Sequence, residues 1–192
     1  MSRVYCNSCH RPQVSCICHL FTSIDNSIHV VVLQHPSEVK QVKGTATLLV
    51  NSLASAEVFV GEDFAEHQDL LSILTKYQGH IALLYPSEHA VTIDAGDYQS
   101  DIRCLILLDG TWKKAYRLFM INRFLHHLPH LILPSGVESR YQIRQTKKQG
   151  ALSTLEACCH ALNLLESRAK NYHELLNRFE QFNQLQMSFR AK

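Results

Sequence analysis

Apolar residues along the chain fall into short, dense runs cut by polar breaks. Ile28 to Leu33 (IHVVVL) is β-branched and apolar on both faces, which predicts a strand buried between two layers. It stops at Gln34-His35-Pro36, where proline cannot continue a ladder. His80 to Tyr85 and Arg103 to Leu108 repeat the pattern and end at Pro86 and at Asp109-Gly110; a further strand is predicted over His130 to Leu133, before Pro134, and a short one over Val58 to Val60. Between these runs the spacing turns helical. Leu48 to Leu53 lies in an Ala/Leu run that begins at Thr45, Glu62 to Tyr77 carries Leu70, Leu71, Ile73 and Leu74 and is closed by Gly79, and Trp112 to Arg123 follows the Asp-Gly break. Ser153 to about Phe189 reads as one long helix or two consecutive ones. Strands alternating with helices predict an α/β domain on a parallel sheet.

Composition narrows the class. With 192 residues, 46% hydrophobic and 19% charged, the chain has material for one domain with a sizeable core and is not disordered as a whole. The longest apolar runs are too short to span a bilayer, and the start, Met-Ser-Arg-Val-Tyr-Cys, lacks the apolar stretch of a secretory signal; a soluble, cytoplasmic protein is expected. The net charge of +2 gives no global pull toward nucleic acid or membrane, so any RNA contact has to come from local clustering.

Four of the seven cysteines, Cys6, Cys9, Cys16 and Cys18, fall in the first eighteen residues. Cys-x-x-Cys followed by Cys-x-Cys offers four thiolates that one tetrahedral ion can gather, and zinc is the expected structural metal. A redox pair is the alternative. His10 and His19 are read as bystanders. Cys104, Cys158 and Cys159 sit in apolar segments as small hydrophobes. A polar stretch, Thr22 to Ser27, separates a metal-binding segment (1–24) from the α/β domain (27–192).

Ligand sites of open α/β sheets lie beyond the carboxyl ends of the strands, which singles out three loops: Gln34 to Glu38, Leu108 to Trp112, and the approach to Leu152-Ser153-Thr154-Leu155-Glu156-Ala157. Asp109 emerges directly from a buried strand and reads either as a carboxylate delivered into a crevice or as half of a simple Asp-Gly turn. Trp112, the chain's one tryptophan, reads either as part of that site or as core. Ser153 and Glu156 form a capping box, sufficient for helix stability and compatible with a ligand at the same helix end. Two basic groups adjoin these loops, Lys113, Lys114, Arg117 and Arg123, and then Arg140, Arg144, Lys147 and Lys148; they read as solvated surface or as phosphate contacts, with Tyr116 and Tyr141 as candidate base stackers. No Walker loop, Gly-x-Gly-x-x-Gly or Gly-x-Ser-x-Gly occurs.

Taken together, the N-terminal cysteines, His35-Pro36-Ser37-Glu38, Asp109-Gly110-Thr111-Trp112 and Leu152 to Ala157 resemble the DTW-domain family, the tRNA-uridine aminocarboxypropyltransferases. The resemblance runs over nearly the whole chain and departs from many members at Lys43-Gly44-Thr45-Ala46-Thr47. It implies a SPOUT-like knotted α/β fold. It also implies transfer of the 3-amino-3-carboxypropyl group of S-adenosylmethionine to N3 of a tRNA uridine, expected at position 47, with release of methylthioadenosine. On that basis Asp109 is the candidate base, or else orients the substrate. Leu33, His35, Leu108, Gly110, Thr111, Trp112, Ser153, Thr154 and Glu156 are candidate cofactor contacts. Lys113, Lys114, Arg117, Arg140, Arg144, Lys147 and Lys148 are candidate RNA contacts, and the four cysteines hold structural zinc. The rival readings are a tRNA methyltransferase using the same cofactor and a zinc-dependent RNA-binding module without catalysis.

Overall fold

The structure, a computed structural model, describes residues 4–93, 101–137, 152–166 and 172–189. Six strands, β1 (His29–Gln34), β2 (Ala56–Val60), β3 (Ile81–Leu84), β4 (Val91–Thr92), β5 (Cys104–Asp109) and β6 (His130–Ile132), form one sheet in the order β2-β1-β5-β3-β6-β4. Every pairing is parallel. All six residues of β1 are buried, as a run apolar on both faces requires of a strand covered by helices on either side.

The helices are α1 (Ala46–Val50), α2 (Gln68–Lys76), α3 (Trp112–Ile121), α4 (Thr154–Leu165) and α5 (Tyr172–Ser188). Alternate residues of β1 point to opposite layers. Val30 and Val32 join a core with α1, α4 and α5, whereas Val31 and Leu33 join a second core with Phe59, Phe64, Leu70 and Leu118. Among the described residues from Ser153 onward there are two helices, α4 and α5, and Leu175, Leu176, Phe179 and Phe182 are buried within this chain rather than displayed for a partner. Ile17 and Leu20 of the cysteine-rich segment enter the first core, so that segment packs on the sheet domain.

Two elements depart from the sequence expectation. The helix predicted from Glu62 begins only at Gln68. Asp63 Oδ1 accepts the backbone N–H of Ala65, and Asn122 Oδ1 accepts that of Phe64 while its Nδ2 donates to the Glu62 carbonyl, so these groups are satisfied outside a helix. Phe64 is thereby driven into the core at 1% exposure. Strand β4 was not expected, because two residues carry no readable alternation.

Candidate functional site

Strand β5 ends on Asp109 and its parallel neighbour β1 ends on Gln34, and the register sets the two side by side. Gln34 Nε2 donates to Asp109 Oδ2 at 2.7 Å. On the other oxygen, Thr154 Oγ1, at the first residue of α4, donates to Asp109 Oδ1 at 2.6 Å. Asp109 is 7% exposed, so its charge is met by these two donors rather than by bulk water. Three segments far apart in the chain are thereby clasped at the carboxyl edge of the sheet.

Thr154 has a second neighbour. A cavity of about 400 Å³ opens at the ends of β3, β5 and β6, walled by apolar residues such as Leu107 and Leu131 and reached by Tyr85, Gly110, Trp112, Ser153 and Thr154. No described residue lining it carries a charged side chain. Its dimensions and largely apolar wall with a few converging hydroxyls are those of a small-molecule site. The N-terminus of α4 opens onto it, pinned by the capping box: Ser153 Oγ accepts from Glu156 N at 3.2 Å, and Glu156 Oε2 accepts from Ser153 N at 2.8 Å. Gly110 is needed at the rim, since a Cβ there would lie 2.9 Å from Lys114 Cβ.

Of the candidate cofactor contacts, Leu108, Gly110, Thr111, Trp112, Ser153 and Thr154 line this cavity. The other three are engaged elsewhere: Leu33 packs in the second core, Glu156 closes the capping box, and His35 accepts from Ser37 N and lies 2.9 Å from Glu62 through Nε2. Trp112 is 49% exposed, which removes the reading of it as core. Among the candidate RNA contacts, Lys113 is exposed, Lys114 is paired with Glu38 at 2.6 Å, and Arg117 is paired with Glu62 at 2.7 Å. Glu62 is held below the ordinary carboxylate range by Arg117 and, more weakly, His35. Arg140, Tyr141, Arg144, Lys147 and Lys148 lie outside the described residues. Gln34 was missed because a polar residue after an apolar run reads as the start of a loop; the one available signal was that both central strands end on a polar side chain.

At the other end of the chain, the sulfurs of Cys6, Cys9, Cys16 and Cys18 lie within 4.8 Å of one another. Cys6 and Cys18 are 3.5 Å apart and Cys9 and Cys16 are 3.8 Å apart. A tetrahedral ion with metal–sulfur bonds of about 2.3 Å needs sulfurs roughly 3.8 Å apart, so the set fits zinc. Neither His10 nor His19 belongs to the cluster. Backbone N–H groups of Cys9 and then Ser8 directed at Cys6 bring its thiol down to about 6, while burial pushes Cys18 up to about 12. Arg11 fastens this knuckle to the domain: its guanidinium donates to the carbonyls of Val42 and Gly44 and lies 5.1 Å from the Phe182 ring centre.

The family model described as DTW domain matches residues 3–187. A tRNA-uridine aminocarboxypropyltransferase 2 from Drosophila melanogaster is 35% identical over 170 residues, covering 85% of this chain and 67% of its own. Proteins of the same name from Macaca fascicularis and Mus musculus are each 32% identical over 171 residues, covering 85% of this chain. The chain spans 57% of the length of those two mammalian relatives. No solved structure matches it significantly.

Proposed function

The chain belongs to the DTW-domain family, and from that premise we propose that it moves the 3-amino-3-carboxypropyl group of S-adenosylmethionine to N3 of a tRNA uridine. The observation that carries this reading is the uncharged cavity at the strand ends, which Thr154 lines while its hydroxyl is bonded, away from the cavity lining, to Asp109 and through it to Gln34. The donor supplies an electrophilic γ-carbon beside a sulfonium; in the transfer, the N3–Cγ bond forms, the Cγ–S bond breaks with its electron pair staying on sulfur, and the N3 proton is lost. Leu107, Leu108 and Leu131 form the apolar wall for the adenosine part, while both donors of Ser153 are spent on Glu156 in the capping box.

Of the two roles weighed for Asp109, the geometry favours one exerted through another residue. Asp109 stands behind Thr154, whose hydroxyl already points its proton at Oδ1 and so turns a lone pair toward the cavity. Thr154 Oγ1 takes the N3 proton as its own passes to Asp109, and the proton then leaves to solvent. Gln34 fixes the carboxylate plane so that Oδ1 keeps this alignment. Thr154 is therefore the catalytic residue, and Asp109 and Gln34 are positioning residues.

Zinc bound by the four cysteines is part of the same proposal and acts structurally. The knotted arrangement that the family resemblance implies is likewise proposed. In its support, β5 enters between β1 and β3, and β6 between β3 and β4, each flanked by strands made earlier in the chain.

The test is mass spectrometry of nucleosides from unmodified tRNA incubated with the protein and S-adenosylmethionine. Aminocarboxypropyl-uridine is expected. A methylated nucleoside would overturn the reaction, and no new nucleoside from folded, zinc-loaded protein would move the chain to the class of RNA-binding modules.

A further inference from the structure

Helix α3 buries Ala115 and Leu118 but turns a different set outward. Trp112, Tyr116 and Met120, four residues apart and so on one face, are 49%, 57% and 47% exposed. The stripe begins at the cavity, which Trp112 lines. Tyr85, which lines the same cavity from the end of β3, stacks on Phe119 of α3 at 4.7 Å, and Phe119 stacks on His126 at 4.3 Å. Burial and then the neighbouring Tyr116 phenol push the Tyr85 phenol up. An exposed stripe of Trp112, Tyr116 and Met120 therefore starts at the cavity mouth and runs along α3, beside the Tyr85–Phe119–His126 stack.

Two of the four cations beside it are neutralised. Lys114 is held by Glu38 and Arg117 by Glu62, whereas Lys113 and Arg123 have no ion-pair partner among the described residues. With a net charge of only +2, the chain is poorly equipped to hold a polyanion by charge alone. Aromatic faces beside sparse cations suit unpaired nucleotides, because every base offers a π-face and stacking is little affected by salt.

We propose that the Trp112–Tyr116–Met120 face of α3 is the docking platform for the unpaired nucleotides that flank the target base, held by stacking with Lys113 and Arg123 on their phosphates. This rests on the transferase reading for the identity of the target, but the platform is testable by binding alone. Because Trp112 is the chain's one tryptophan, its emission reports directly on the mouth of the cavity.

The experiment titrates the full chain, saturated with methylthioadenosine to fill the cavity, with a short single-stranded oligouridylate and with a fully paired RNA of equal charge. The single strand is expected to quench Trp112 emission and to bind at least tenfold more tightly than the duplex. Tyr116→Ala is expected to weaken the single strand about tenfold, and Tyr116→Phe to restore it. With two phosphate contacts, the slope of log affinity against log salt is about −1.4, halved in Lys113→Ala. Equal affinity of Tyr116→Ala and wild type, or preference for the duplex, overturns the platform. So does a change of oligomeric state in Tyr116→Ala with RNA affinity unchanged, which assigns the face to a second copy of the chain. If nucleoside analysis finds no transfer while these binding results hold, the platform stands and the transferase reading alone fails.

Discussion

The cysteine knuckle and the strand-end cavity are built by opposite means. Four sulfurs within thirteen residues are brought close by their own spacing, and the segment adds Cys9, Ile17, Leu20 and Ile24 to the shared core. A segment of this size gains little by burial alone, and the zinc proposed for its sulfurs would supply the missing stability. The hydrogen-bonded chain beside the cavity has no local cause: Gln34, Asp109 and Thr154 are brought together by a parallel register and by a helix packed across it. The knuckle is therefore sensitive to chemistry, to a chelator or a lost thiol, and the cavity to geometry. Arg11 is where the two meet, since it ties the knuckle to the loop before α1 and to α5.

The largest expected effect separates the two regions. Removing the ion with a chelator, or replacing Cys9 with Ser, is expected to lower the melting temperature by roughly 10 °C or more and to release α5 to hydrogen exchange, while β1 and β5 stay protected. Simultaneous loss of protection in both regions would make them one unit. Next comes Asp109→Asn, which removes the acceptor behind Thr154. Turnover, followed by nucleoside mass spectrometry, is expected to fall about 10²–10³-fold with the donor's affinity by calorimetry changed little. Gln34→Met keeps the volume and removes one hydrogen bond to a buried charge, with an expected loss of about 1.5–3 kcal/mol in urea unfolding and a smaller loss of turnover. Gly110→Ala forces the start of α3 away from the strand end, costing about 1–3 kcal/mol and weakening donor binding, because the added Cβ has no room beside Lys114.

The smallest effect lies away from both regions. Burial holds the His29 imidazole below its ordinary value of 6.5, with Glu57 opposing and Lys76 reinforcing the shift. The folded state then binds fewer protons than the unfolded one, so stability present above pH 6.5 is lost as pH falls through the lowered folded value. In His29→Gln that slope is expected to flatten below pH 6.5 in thermal melts.

The same contrast governs what could be read without a structure. β1, β3 and β5 were legible because a strand buried on both faces needs apolar residues at consecutive positions, and the four cysteines because their spacing is itself the site. Asp109, Ser153 and Thr154 were legible as positions at strand and helix ends. Their connection was not, since the contacts from Gln34 and Thr154 to Asp109 depend on strand order, which no local pattern encodes. The start of α2 was misjudged for a like reason: the side chain that satisfies Phe64 comes from Asn122. Lys114 and Arg117 illustrate the converse, cations that look available along the chain and are neutralised by Glu38 and Glu62 across it.

The most direct measurement is a single-turnover rate of aminocarboxypropyl-uridine formation for wild type, Thr154→Ser and Thr154→Val, with donor binding measured on each. The expected result is a rate near wild type for the serine variant, which keeps the hydroxyl, and a fall of about 10²-fold or more for the near-isosteric valine variant, with donor affinity preserved in both. A valine variant as fast as wild type would contradict the assignment of the N3 proton to Thr154 and Asp109.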